Sequence, residues 1–205
     1  MIGVIDYKVG NLGSVCNMLR YLRIEHMIVD NKHDLNRASG LILPGVGAFD
    51  GAVKALHASG LWDELTDLVL HHRKPVLGIC LGMQLLTKSS EEGTLAGLGW
   101  IDAVTKRLPA GPGLKIPHMG WNQVAIKKKS LLTKYLPENS KFYFVHSYYV
   151  KLENPDDRLL TATYGLEFDV GLERDNIFGL QFHPEKSHRY GFAVLKAFSE
   201  IACLR

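Results

Sequence analysis

In the first half of the chain, short runs of wholly apolar residues alternate with stretches in which apolar residues recur every three or four positions. The run "IGVID" (2–6) predicts a buried strand, and "NLGSVCNMLRYLR" (11–23) places Leu12, Val15, Met18, Leu19 and Leu22 at helical spacing, with Asn11 as the N-cap. "HMIVD" (26–30), "GLILP" (40–44) and "PVLGI" (75–79) predict three further strands. Two helices are expected between Phe49 and His72, the first ended by Gly60, and another over Leu81–Lys88. Strands alternating with helices predict βαβ units and a mostly parallel central sheet flanked by helices, an α/β fold.

The second half reads differently. "WNQVAI", "KFYFVHSYYVKL", "LLTATY" and "IFGLQF" are β-rich and closely spaced, which predicts antiparallel additions before a last helix near Phe192–Ile201. No linker, internal repeat or low-complexity segment interrupts the pattern, so residues 1–205 are expected to form a single domain.

Composition changes this picture mainly by exclusion. Lys plus Arg number 24 against 21 for Asp plus Glu, and a formal charge of +3 is not the footprint of a nucleic-acid binder. The one dense basic run, Lys127-Lys128-Lys129, is expected in a solvated turn. Cys16, Cys80 and Cys203 are odd in number and widely spaced, which argues against a disulfide framework or a zinc site. The start "MIGVIDYKVG" lacks the basic head and long apolar body of a signal peptide, and no apolar run approaches the ~18 residues of a membrane span. A reducing cytoplasm, no membrane and no metal are the expectations.

One cysteine stands out. Gly78-Ile79-Cys80-Leu81-Gly82 has the form glycine–x–nucleophile–x–glycine directly after a predicted strand, the pattern of a strained strand-to-helix turn that lifts a side chain above the sheet. The N–H groups opening the following helix favour a thiolate there. Taken alone, Cys80 reads more readily as a small core residue ending a strand, as most buried cysteines are. A thiol nucleophile needs a base, and the base an orienting partner. Among nine histidines, His183 in "GLQFHPEKS" has a carboxylate two residues on, and Pro184 biases His183 to extended geometry, which would place Glu185 on the same side. His146, within a strand-like run and with no adjacent carboxylate, reads as structural.

Together, "GICLGMQLL" and "QFHPEKS" resemble the class I, triad-type glutamine amidotransferases. "DYKVGNLGSV" (6–15), "LILPGVGAF" (41–49), "IPHMGWN" (116–122) and "YFVHSYYV" (143–150) narrow the resemblance to the glutaminase subunits of imidazole glycerol phosphate synthase, of histidine biosynthesis. The resemblance runs over essentially the whole chain, in order. It implies a class I amidotransferase-like fold, with Cys80 as nucleophile, His183 as base and Glu185 as its orienting partner. The oxyanion donors would be the Leu81 N–H and one from Gly45-Val46-Gly47. Gln84, four residues beyond Cys80, and Ser147 and Tyr148 would contact L-glutamine.

The resemblance also implies a partner. Free ammonia near neutral pH is mostly protonated and no longer nucleophilic, so it must pass through a dry passage to a second active site. The chain carries no phosphate-cradling loop or cofactor motif, which puts the acceptor chemistry on another polypeptide. In the family that polypeptide is a (β/α)8-barrel cyclase forming a heterodimer, and Asn11, Trp121, Tyr143 and Lys186 correspond to residues facing it. Lys8 departs from the pattern, standing where glycine is common, so either the interface differs or the loop never needed positive φ. A paralogue serving a sugar-amidating enzyme, a non-catalytic scaffold and a DJ-1-like hydrolase remain alternatives.

Overall fold

In the computed structural model, residues 1–111 and 113–204 are described. In chain order the elements are β1 (Ile2–Ile5), α1 (Leu12–Tyr21), β2 (His26–Val29), α2 (Lys32–Arg37), β3 (Gly40–Gly45), α3 (Phe49–Ala58), α4 (Trp62–Leu70), β4 (Val76–Cys80) and α5 (Leu81–Leu85). There follow β5 (Ser89–Ser90), β6 (Ala103–Arg107), β7 (His118–Gln123), β8 (Ala125–Ile126), β9 (Lys141–His146), β10 (Tyr148–Leu152), β11 (Arg158–Tyr164), β12 (Leu166–Arg174), β13 (Ile177–Leu180) and α6 (His188–Cys203).

The main sheet runs β2-β1-β3-β4-β13-β12-β10-β6-β5, with β11 paired to β12 and β8 to β11. From β2 to β13 the pairings are parallel, and each of β1, β3, β4 and β13 is buried along its whole length. Such strands are covered on both faces and therefore read as continuous apolar runs. Side chains alternate between two cores. Ile2, Val4, Ile42, Leu77 and Ile79 pack with α1 and α6, while Ile5, Leu41, Leu43 and Val76 pack with α2 to α5. Asn11 caps α1, its side chain accepting from the Ser14 N–H at 3.2 Å. Gly60 ends the α3 turn at φ +71°.

Several expectations need correction. The run "IFGLQF" is not an antiparallel addition. A two-residue turn at Asp175 and Asn176 reverses the chain out of β12, so β13 lies antiparallel to β12 and parallel to β4 in the sheet's interior. The β-rich stretch "KFYFVHSYYVKL" forms two strands. It breaks at Ser147, so that β9 pairs with β7 in a separate two-stranded ribbon while β10 joins the main sheet. Helix α5 stops at Leu85 rather than Lys88, where Thr87 Oγ1 donates to the Gln84 carbonyl at 2.8 Å. Helix α2 was not expected, because Leu35 is its only buried residue. The lysine run is not merely solvated, since Lys127 pairs with Glu167 and Lys128 Nζ donates to the Asp156 and Glu173 carbonyls at 2.6 and 2.9 Å. Among the described residues, no helix is long and apolar enough to cross a membrane.

Candidate active site

Cys80 is the last residue of β4 and the point where the chain turns into α5. It holds φ +56° and ψ −110°, a conformation that costs a non-glycine residue of order 1–3 kcal/mol. The strain is therefore in the cysteine and not in its flanking glycines. Those glycines supply space. A Cβ on Gly78 would lie 2.7 Å from the Gly82 carbonyl oxygen, and one on Gly82 would collide with the Leu43 carbonyl. Only hydrogen at both positions lets α5 begin directly on β3 and β4.

The parallel register Ile79↔Leu180 carries β13 alongside β4, so the three residues beyond its end arrive beside Cys80. His183 Nδ1 lies 2.7 Å from Glu185 Oε1, and both side chains are buried. The carboxylate accepts, which fixes the proton on Nδ1 and leaves Nε2 for Cys80. The reason for this closeness differs from the sequence expectation. Pro184–Lys186 is a single 3-10 turn, and that turn folds Glu185 back onto the ring. Burial of His183 opposes its charge, yet hydrogen bonds to Cys80 and Glu185, and the charges they bear, push its pKa up to about 10. The turn is pinned to β9, with the His183 N–H donating to the Tyr143 carbonyl at 3.0 Å and the Tyr143 N–H donating to Ser187 Oγ at 3.0 Å.

Above Cys80 lies a cavity of about 310 Å³. Its walls bring together Cys80, His183, Leu81, Gln84, Ser147 and Tyr148, with Val46 and Gly47 at the rim. Gly45 pairs with Cys80 in register and is too crowded for a side chain, a Cβ there lying 2.7 Å from Tyr7 Oη and 2.9 Å from Leu81 Cβ. Tyr7 donates to the Pro44 carbonyl at 2.7 Å, which anchors the segment at its start. Gly47 is different, with φ +104° and open space around it.

Two lining or supporting residues escaped the sequence reading, and a third, His146, was read there as structural. Gln181 is fully buried, donates from Nε2 to Cys80 Sγ at 3.7 Å, and accepts from Gln84 Nε2 at 3.1 Å. Strand alternation could have found it, since it sits two residues before His183. Glu92 lines the cavity and accepts from the Phe49 N–H at 2.9 Å, in place of a cap on α3. His146 lines it too, with hydrogen bonds at both ring nitrogens, to the Tyr148 carbonyl at 2.8 Å and to His118 at 2.9 Å. It has no free nitrogen for Cys80.

Of the four residues expected to face a partner, three form one exposed patch. Trp121 is 48% exposed, stacks on His188 at 5.5 Å between centroids and meets Tyr143 edge-on at 6.3 Å. Lys186 Nζ lies 5.8 Å from the centre of the Tyr143 ring. Helix α1, which Asn11 caps, packs against the turn that carries Lys186. Lys8 does hold positive φ, +65°, with its Nζ on Asp6 at 2.9 Å, so the loop needs the left-handed conformation after all.

Comparison with known proteins agrees with this geometry. The model of the class-I glutamine amidotransferases matches residues 3–199. Over 201 residues the chain is 50% identical to the imidazole glycerol phosphate synthase subunit HisH 2 of Pseudomonas aeruginosa, covering 98% of this chain and 100% of that one. Over 198 residues it is 48% identical to the subunit of the same name from Methanococcus maripaludis, covering 97% and 98%. A crystal structure of a glutamine amidotransferase superposes with a TM-score of 0.76 at 21% identity, over 98% of both chains. The chain belongs to the class-I glutamine amidotransferases, within the family of HisH subunits of imidazole glycerol phosphate synthase.

Proposed function

We propose that the chain, as one amidotransferase domain, hydrolyses L-glutamine to glutamate and ammonia for an imidazole glycerol phosphate synthase of histidine biosynthesis. The observation that carries this reading is Cys80 at φ +56° on the cavity floor, backed by the buried His183–Glu185 pair. Cys80 Sγ attacks the side-chain carboxamide carbon while His183 Nε2 holds the thiol's proton, as its raised pKa allows. The Leu81 N–H and a donor from Gly45-Val46-Gly47 hold the tetrahedral oxyanion. Collapse breaks the C–N bond, and His183 gives its proton to the leaving ammonia. Water, deprotonated by His183, then hydrolyses the γ-glutamyl thioester and returns Cys80 as the thiol. Glu185 fixes the imidazole throughout.

Substrate recognition follows from hydrogen-bond accounting. Both amide protons of Gln84 are taken, by the Tyr148 carbonyl at 3.2 Å and Gln181 Oε1 at 3.1 Å, so only its Oε1 faces substrate, as an acceptor for the α-ammonium. The backbone of Ser147 and Tyr148 holds the remaining α-groups. Ammonia passes to a (β/α)8-barrel cyclase that docks over Asn11, Trp121, Tyr143 and Lys186 as a heterodimer in the cytoplasm. The exposed Trp121 stack supports that surface. Lys8, at φ +65° on the loop that packs beside Pro44, is the one departure from the family pattern noted in the sequence. The alternative reading is a paralogue whose partner amidates sugars instead. Cys80→Ala tests the nucleophile and is expected to abolish glutamate release while the fold and partner binding persist. Glutamine-dependent turnover by this variant would refute the assignment. Activation by the cyclase of histidine synthesis, and failure with a sugar-amidating partner, decides between the two readings.

A further inference from the structure

Behind the cavity wall a continuous line of hydrogen bonds runs from the nucleophile to the exposed ribbon. Gln181 links Cys80 to Gln84, Gln84 donates to the Tyr148 carbonyl, and His146 Nδ1 meets the same carbonyl at 2.8 Å. His146 Nε2 lies 2.9 Å from His118 Nδ1, and His118 Nε2 lies 3.3 Å from Asn122 Nδ2. Asn122 Nδ2 also donates to the Thr163 carbonyl at 2.9 Å, while its Oδ1 accepts from the Gln123 N–H at 2.8 Å.

The protons in this line have one consistent arrangement. A carbonyl only accepts, so His146 carries its proton on Nδ1. In a neutral ring its Nε2 must then accept, and His118 must donate from Nδ1. That leaves His118 Nε2 as an acceptor, which is what the Asn122 amide requires, since its orientation is already set by Thr163 and Gln123. An imidazolium at either position would turn two donors against each other. Both histidines are buried, and among the described residues no carboxylate hydrogen-bonds to either ring. His118 lies between the rings of Tyr164 and Phe144, at 4.1 and 4.9 Å. Burial pulls the pKa of His118 down to about 4. It pulls that of His146 to about 3, assisted by His118 and His183 against the Tyr148 hydrogen bond.

We infer that His146 and His118 are positioning residues for glutamine: a neutral imidazole pair of fixed tautomers that holds the Tyr148 carbonyl, and through it Gln84, in the orientation that presents Gln84 Oε1 to the substrate. The inference rests on the glutaminase reading above. It assigns the pair no proton transfer, because neither ring has a free nitrogen.

The test is steady-state glutamate release by the full chain and two variants. His146→Leu fills the space but gives Tyr148 no donor, and KM for glutamine is expected to rise about tenfold with kcat changed less than threefold, the loss of one hydrogen bond. His146→Asn, whose amide reaches the position of Nδ1, is expected to recover most of that KM. A merely structural histidine would lower the amount of active enzyme, and with it kcat, without moving KM. A KM for folded His146→Leu within twofold of wild type overturns the inference. If His146→Leu does not fold, long-range 15N–1H correlation spectra of the wild-type imidazoles at pH 7 decide it. Neutral Nδ1–H forms of both His146 and His118 support the pair, and an Nε2–H form or an imidazolium at either refutes it. Absence of glutamine hydrolysis by the wild-type chain, with and without its partner, would instead sink the glutaminase reading, and the spectra would still judge the tautomers.

Discussion

Gln181→Leu is the sharpest probe of the site, because it removes two hydrogen bonds without changing the volume of a fully buried position much. The first lost bond is the 3.7 Å contact to Cys80 Sγ. A hydrogen bond to a charged acceptor contributes about 1.5–3 kcal/mol, so if the sulfur reacts as thiolate kcat/KM should fall about 10- to 100-fold. The second is the acceptor for one proton of Gln84 Nε2, whose other proton stays on the Tyr148 carbonyl. A buried N–H left without a partner costs about 1–3 kcal/mol, partly offset by the better transfer of leucine into the core. A net loss of about 1–2 kcal/mol in a chain of this size lowers Tm by roughly 2–8 °C. The assay is glutamate release against glutamine concentration, paired with thermal unfolding. Partner turnover supported by ammonium salts should be untouched, because ammonia bypasses Cys80. Wild-type kcat/KM in folded Gln181→Leu would refute the role given to this amide.

Three further outcomes follow from the same geometry. His183→Asn should cost about 10²–10⁴ in glutamate release, the usual worth of a general base, and Glu185→Gln less, because it orients without transferring a proton; the reverse order would exchange their roles. Glu185 helps hold the His183 pKa above its unfolded value of about 6.5, so the pair's stabilisation is complete below about pH 6.5 and fades as pH rises towards about 10. Unfolding curves of Glu185→Gln and wild type should accordingly differ most at the acidic end of that window and converge at its alkaline end. Gly47→Ala places a side chain at φ +104°, where the cost is conformational and not steric. If that peptide must rotate to complete the oxyanion hole, activation by a partner should be blunted by up to about 10²–10³ while partner affinity stays within a few fold; unchanged activation would remove the hinge.

The parallel half of the sheet was legible because its strands are buried on both faces and so announce themselves as unbroken apolar runs. The element missed there, α2, has a single buried leucine and no stripe, although Asn31 accepting from the Asp34 N–H at 2.9 Å is a cap that the sequence displays. The direction of β13 was not legible. An apolar run carries no polarity, and only the turn at Asp175 and Asn176 sets it. At the site, residue chemistry singled out Cys80, His183 and Glu185, and the structure puts them together, though by a 3-10 turn and not by an extended strand. Gln181 and Glu92 stayed hidden for a plain reason. Each acts through a partner distant in the chain, Gln84 and Phe49 respectively, and glutamines and glutamates are ordinary residues until such a partner is seen.

The ribbon of β7 and β9 has no interior of its own. It is one pleat thick, so successive residues of a single strand belong to different environments: His118 to the imidazole pair, Met119 and Trp121 to the surface, Asn122 to the inner hydrogen-bonded line. The outer and inner faces therefore share one backbone and cannot be adjusted separately. A load applied to the Trp121 ring is borne by the peptide groups that orient His118 and Asn122, with no packed layer between to absorb it. Engineering the outer face for a new partner thus also sets the stiffness of the glutamine cavity's back wall.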